Sequence, residues 1–236
     1  MHRFYIADSL NPDVVDLTGD EAAHLARVLR LTVGEQVCAF DGKGNSAVAE
    51  IMEAGKRSAR LRILERLPVF NLAGPDVTLI TAVPKSDRFR WLVEKATELG
   101  VRRLIPVRTE RSVVHPGDGK LQKMQAAVIA ACKQCGRNDL LTIEPAQEWA
   151  DVMQLATGRQ LLVADPQGRP IRDISLRTES GSELALAIGP EGGLAPREVD
   201  VARQAGAVLV CLGPSILRIE TAALAMAAWV RFAAST

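Results

Sequence analysis

Two hydrophobic rhythms divide the chain. Up to about residue 70 the apolar positions come in short runs. Ala59, Leu61 and Ile63 alternate with Arg60 and Arg62, the period-two pattern of a strand with one face on a core and the other in water. His2–Ile6, Glu35–Phe40, Asn45–Met52 and Ser58–Leu64 are predicted strands, with Asp41-Gly42-Lys43-Gly44-Asn45 as turn chemistry between two of them. One helix interrupts the strands. Thr18 or Asp20 is placed to cap it, and Ala23, Leu25, Ala26, Val28 and Leu29 supply its apolar positions.

Leu67-Pro68 through Gly74-Pro75 reads as a boundary. Beyond it, Val77–Val83 is a continuous apolar run of the kind buried on both faces. Ser86–Leu99 is a predicted helix with Phe89, Leu92, Val93, Ala96 and Leu99 on one side and Gly100 as its stop. Val101–Val107 is a strand, and Lys120–Cys135 a helix ended by Gly136. Leu161–Ala164, Leu184–Ile188 and Ala207–Leu212 are further strands. Pro196 suits the first turn of a short helix ending near Gly206, and Glu220–Ala234 is the last helix. Strands alternating with helices predict an α/β domain over residues 73–236 with a mostly parallel sheet, preceded by a small β-rich domain over residues 1–72.

A formal net charge of +1 withholds any bulk signal for nucleic acid, so a basic surface has to come from arrangement. The first 72 residues carry 9 Lys and Arg against 10 Asp and Glu. Aromatic residues make up only 4% of the chain, which argues against a broad base-stacking platform. No apolar run reaches the ~20 residues that span a bilayer, and the first residues lack a secretory pattern, so a cytoplasmic location is expected. Four cysteines in 236 residues form no disulfide framework.

Chemistry concentrates near the carboxyl end. Ile188-Gly189-Pro190-Glu191-Gly192-Gly193 follows a buried strand and precedes a helix. Its glycines permit positive φ and close backbone approach to a ligand. A tight connection without a ligand is the competing reading. The segment is neither the G-x-G-x-x-G dinucleotide fingerprint nor a P-loop. Leu212-Gly213-Pro214-Ser215-Ile216-Leu217-Arg218-Ile219-Glu220-Thr221-Ala222 is a second glycine turn after a strand. Taken alone, its Arg218 reads as a surface cation and its Glu220 as a carboxylate favoured by the helix dipole.

Together these turns resemble the carboxy-terminal half of the RsmE family of SPOUT methyltransferases. The resemblance runs back through Pro84-Lys85, Lys95-Ala96-Thr97-Glu98-Leu99-Gly100-Val101 and Gln134-Cys135-Gly136-Arg137. It reaches Gly19–Leu25, Arg27-Val28-Leu29-Arg30 and Phe40-Asp41-Gly42 near the amino end. The chain departs from the family pattern at Lys133 (usually Glu), at Ile219 (usually Thr) and at Leu140-Leu141 (near a usual Val-Pro). The resemblance implies a PUA-like β-barrel that docks RNA, then an α/β SPOUT domain with a carboxy-terminal trefoil knot, in a homodimer. It implies S-adenosyl-L-methionine as cofactor and N3 of a uridine in small-subunit (16S) ribosomal RNA as target. By carry-over, Gly189, Glu191, Gly192, Leu212, Gly213 and Leu217 line the cofactor pocket. Arg218, Glu220, Gln134 and Arg137 are the catalytic candidates, and Arg3, His24, Arg27, Arg30 and Lys85 are the RNA contacts. Arg27 and Arg30, three apart, are expected on one helix face.

Two other readings stay open. One is an RNA-binding SPOUT homologue with weakened catalysis, which cofactor titration distinguishes. The other is a SPOUT methyltransferase acting on another RNA position such as a ribose 2′-hydroxyl, which product nucleoside analysis distinguishes. Cys132-Lys133-Gln134-Cys135 is a C-x-x-C, but it falls at a helix end and has no second ligand pair for zinc. His2, His24 and His115 are too scattered for a metal triad. Trp91 and Trp229 fit core or dimer contacts.

Overall fold

The structure is a computed structural model that describes residues 1–69, 74–85, 87–114, 121 and 123–234. By internal contacts the chain divides into two units, Met1–Asn71 with Cys132–Leu140, and Leu72–Ala131 with Leu141–Thr236. The expected boundary at residues 72 and 73, the predicted helix starts at Ser86 and Lys120, and His115 lie outside the described residues.

The first unit is a curled five-stranded sheet. Its strands are β1 (Arg3–Tyr5), β2 (Val14–Thr18), β3 (Gln36–Phe40), β4 (Ser46–Ala54) and β5 (Ser58–Leu67), in the order β1-β3-β4-β5-β2. The β1–β3 pair is parallel and the others antiparallel. Alternation puts Phe4, Leu17, Val37, Ile51 and Leu61 into one core. Asp41 organises the turn between β3 and β4. Its carboxylate accepts the Lys43 N–H at 2.8 Å and the Asn45 side-chain amide at 2.7 Å. Strand β2 was not foreseen. Its Val14-Val15-Asp16-Leu17 begins with two adjacent apolar residues that blur the alternation.

The predicted first helix is present but irregular. Helix α1 (Gly19–Ala23) runs straight into a π-helical turn, His24–Val28. Thr18 holds the cap position, but its side chain makes no capping bond. The chain leaves the turn through Arg30, the one described non-glycine residue with positive φ, at 54°.

The second unit carries a parallel sheet. Its strands are β6 (Asp76–Ala82), β7 (Arg103–Arg108), β8 (Thr142–Ile143), β9 (Gln147–Glu148), β10 (Gln160–Pro170), β11 (Glu183–Ile188) and β12 (Val208–Cys211). The order is β12-β10-β11-β6-β7-β8, with β9 also on β7. The helices are α2 (Arg88–Glu98), α3 (Met124–Cys135), α4 (Trp149–Leu155), α5 (Pro196–Gln204) and α6 (Ile219–Ala233). Helices α4 and α5 bury Trp149, Val152, Met153 and Ala202 against Ile80, Val107, Val163 and Ala185 of the sheet. Helices α2 and α6 pack on each other, and α6 lies along β6 and β11. Helix α4 and the two-residue strands β8 and β9 carry too little periodic signal to be read from sequence. Among the described residues no helix is long and apolar enough to cross a membrane.

Candidate cofactor and RNA site

The carboxyl ends of β11 and β12 and the bulged middle of β10 open into one cavity of about 750 Å³, close to where ligands bind in open parallel sheets. One wall is the turn after β11. There the Gly193 N–H donates to the Pro190 carbonyl at 2.8 Å, and Gly193 sits at φ 72°. A Cβ on Gly189 would lie 2.9 Å from Leu194 Cγ, so a side chain here requires Leu194 to shift.

The opposite wall runs from β12 into α6. Gly213 adopts φ 139°. Among the described residues, no hydrogen bond engages the amides of Leu212, Gly213 or Leu217. Unpaired backbone donors beside a concavity are the groups a ligand satisfies. All six residues expected at the cofactor border this cavity.

A third wall, Ala164-Asp165-Pro166-Gln167, escaped the sequence reading. Asp165 accepts the Gln167 N–H at 2.7 Å and fixes a turn within β10. The D-P-x-G signature was the available signal. The strand register shifts there, so that Ala164 and Arg169 both pair with Val210. Gly168 is packed on that neighbouring strand, where a Cβ would lie 2.5 Å from Leu209 C and Val210 N.

Arg218 caps α6 in an extended conformation and its side chain is exposed. Ile219 is buried and borders the cavity. Glu220 does not border it. Its carboxylate is buried at 6% exposure, with Oε1 3.7 Å from Arg88 Nη1 on α2. Its Oε2 has no hydrogen-bond partner among the described residues. Lys85 is exposed just past β6.

The remaining candidates lie in the first unit. Arg137 is buried and paired with Asp139, at 3.1 Å through Nε and 2.8 Å through Nη2. This buried guanidinium is committed to a carboxylate of its own turn. Arg3 donates to the Arg137 carbonyl at 3.1 Å, reaches Asn138 Oδ1, and stacks 5.0 Å above Phe40. Arg3 thus holds the segment Cys132–Leu140 to the sheet. His24 packs edge-on to Phe4 at 6.3 Å. Arg27 and Gln134 are exposed. Arg27 and Arg30 do not share a regular helix face, because the π-turn widens the spiral and Arg30 lies past its end.

Lys133 is settled by Glu21, 2.8 and 3.0 Å from its two carboxylate oxygens, and by the Phe4 ring at 5.2 Å. Glu21 also accepts the Tyr5 N–H. Of the C-x-x-C pair, Cys135 is exposed and Cys132 buried. Burial pushes the Cys132 thiol up to about 12, the opposite of an activated thiolate.

A family profile described as an RNA methyltransferase domain matches residues 72–231, and one described as an RNA methyltransferase PUA domain matches residues 17–64. Ribosomal RNA small subunit methyltransferase E of Mycobacterium tuberculosis is 34% identical over 232 residues, covering 93% of this chain and 87% of its own. The chain belongs to the ribosomal RNA small subunit methyltransferase E family. The Bacillus subtilis member is 30% identical over 225 residues, covering 88% of this chain and 86% of its own. The crystal structure of the Neisseria gonorrhoeae member bound to S-adenosyl methionine superposes with a TM-score of 0.91 at 33% identity, over 99% of this chain and 98% of that one. Family membership accounts for both units, a PUA domain followed by a methyltransferase domain.

Proposed function

We propose that this chain methylates N3 of a uridine in small-subunit (16S) ribosomal RNA, using S-adenosyl-L-methionine. The carrying observation is a ligand-sized cavity bordered by two glycine turns, the second with the Leu212, Gly213 and Leu217 amides unpaired among the described residues, in a chain of this family. Its volume of about 750 Å³ falls within the roughly 300–1,000 Å³ of small-molecule sites. The residues fit the cofactor. Amides of Leu212, Gly213 and Leu217 hold one side, and Gly189, Glu191 and Gly192 close the other. When bound, the cofactor supplies an activated methyl group.

The rest of the chemistry falls to side chains. Uridine N3 carries a proton that must leave as the N–C bond forms. Arg218, exposed at the mouth of α6, stabilises the negative charge that develops on the uracil oxygens. Glu220, outside the cavity lining and with one carboxylate oxygen unpartnered among the described residues, receives the proton through a water. Gln134, exposed at the end of α3, contacts the RNA, and Arg137, buried and paired with Asp139, holds that segment in shape. The target nucleotide is unstacked to reach the site.

Residues 1–72 are the RNA-docking PUA-like domain and residues 73–236 the SPOUT domain. Arg27, Arg30, His24 and Lys85 are the RNA contacts, and Arg3 anchors the Cys132–Leu140 segment to the first sheet. The SPOUT reading carries with it a trefoil knot at the carboxyl end. Exposed Trp91 on α2 and Phe232 on α6 support a homodimer built on that helix pair. A ribosomal RNA substrate supports a cytoplasmic location.

The test is incubation with unmodified small ribosomal subunits and methyl-labelled cofactor, followed by mass mapping of the RNA. One labelled uracil base supports the proposal. Label in a ribose would reassign the target, and cofactor binding without transfer would favour an RNA-binding homologue.

A further inference from the structure

The turn that forms the first wall of the cavity is not held by its own bonds alone. A second turn, Thr109–Ser112, follows β7 and is locked internally. The Thr109 N–H donates to Ser112 Oγ at 3.0 Å, and the Ser112 N–H returns to the Thr109 carbonyl at 3.1 Å. From this fixed base, consecutive residues reach the glycine turn and the start of α5.

Arg111 Nη1 donates to the Gly192 carbonyl at 2.8 Å. Its aliphatic stem lies along Gly192, with Cβ and Cδ each 3.5 Å from where a Cβ of residue 192 would be. The Glu110 carboxylate pairs with Arg197 on α5 at 2.8 Å. The Glu110 N–H donates to Glu198 Oε1 at 2.8 Å, while Glu198 Oε2 accepts the Ala195 N–H at 2.8 Å. Glu198 is only 7% exposed, and its own carbonyl accepts the Trp149 indole N–H at 2.9 Å. One buried carboxylate thus spends both oxygens joining the Thr109–Ser112 turn to the residue that ends the glycine turn. Bonds from a carboxylate or guanidinium to the main chain are among the stronger hydrogen bonds.

We infer that Arg111 and Glu198 are positioning residues for the cofactor wall, holding Gly189–Leu194 in its binding shape before the ligand arrives. The inference rests on the cofactor reading above. Neither side chain is assigned a contact with substrate. They act through the Gly192 carbonyl and the Ala195 amide, so their loss falls on cofactor affinity and not on the methyl-transfer step. A preformed wall saves the ordering cost that a loose one takes out of binding.

Titration calorimetry of S-adenosylmethionine with the full chain tests this, beside steady-state kinetics on small subunits. Arg111→Ala is expected to weaken the cofactor Kd about tenfold, while kcat at saturating cofactor stays within about twofold. Arg111→Lys, which keeps one donor within reach of the carbonyl, recovers most of the loss. Glu198→Gln turns one acceptor into a donor facing an N–H, and is expected to weaken Kd at least as much. Arg111 is exposed, so Arg111→Ala keeps the test intact if Glu198→Gln fails to fold. An Arg111→Ala protein with wild-type Kd, or one losing kcat at saturating cofactor as fully as kcat/KM, would overturn the inference. Absence of binding by the wild type would overturn the cofactor reading itself.

Discussion

Lys133 shows how a single charge is settled by its neighbours. The resemblance leads one to expect an acid there, yet in this chain the ammonium sits between Glu21 and the Phe4 ring, about a fifth exposed on both sides of the ion pair. Lys133→Glu sets two carboxylates together and strands Glu21. It is expected to cost roughly 1–3 kcal/mol, between the values of exposed and buried pairs. Urea denaturation reads this, and an unchanged midpoint would show the pair to be incidental. Cys132 gives a pH signature. Its folded thiol is held up to about 12 by burial, above the unfolded value near 8.5. Above that unfolded value the folded state keeps a proton that the unfolded chain releases, so stability falls as pH rises towards 12. Thermal melts from pH 8 to 10.5 should show a decline that Cys132→Ala reduces. At the reacting centre, Arg218→Ala and Glu220→Gln are each expected to lower kcat about 10²–10³-fold. Single-turnover methyl transfer measures this, and two intact rates would move the chemistry elsewhere.

At the level of elements, legibility followed periodicity and length. Strands β6 and β11 are buried runs and were plain, and α2 showed itself through Phe89, Leu92, Val93 and Ala96. Both glycine turns were legible because positive φ leaves a glycine in the sequence. The third wall was not, since β10 reads as a strand ending at Ala164 when it continues through a bulge to Pro170. The bracing by Arg111 and Glu198 was equally hidden, because it joins residues 81 and 88 positions apart. The π-turn at His24–Val28 has the apolar spacing of an ordinary helix, and its five-residue hydrogen bonding, as from Leu29 back to His24, distinguishes it. Gly168 carries the prediction at this scale. Gly168→Ala drives a methyl into the backbone of β12 and is expected to cost about 1–3 kcal/mol or more, with loss of cofactor binding. Calorimetric melting checks it, and a wild-type midpoint would contradict the packing.

For the whole molecule, near-neutral charge makes RNA binding a matter of a few placed cations. Arg27 and Arg30 stand exposed beside the π-turn, and the strained backbone at Arg30 is the kind of feature retained where it serves contact. RNA affinity should fall linearly with salt on logarithmic axes, and Arg27→Ala or Arg30→Ala should each reduce the slope by about 1. Filter binding across a salt series shows this, and an unchanged slope would remove them from the interface. Above all, the proposed cofactor binding depends on main-chain amides beside one cavity receiving one small ligand. Calorimetric titration of S-adenosylmethionine into the wild type and into Gly213→Val, whose side chain is strained at φ 139°, reads that claim directly. The predicted result is one cofactor bound per chain in the wild type and at least tenfold weaker binding in the variant. Equal binding by both proteins, or none by either, would contradict it.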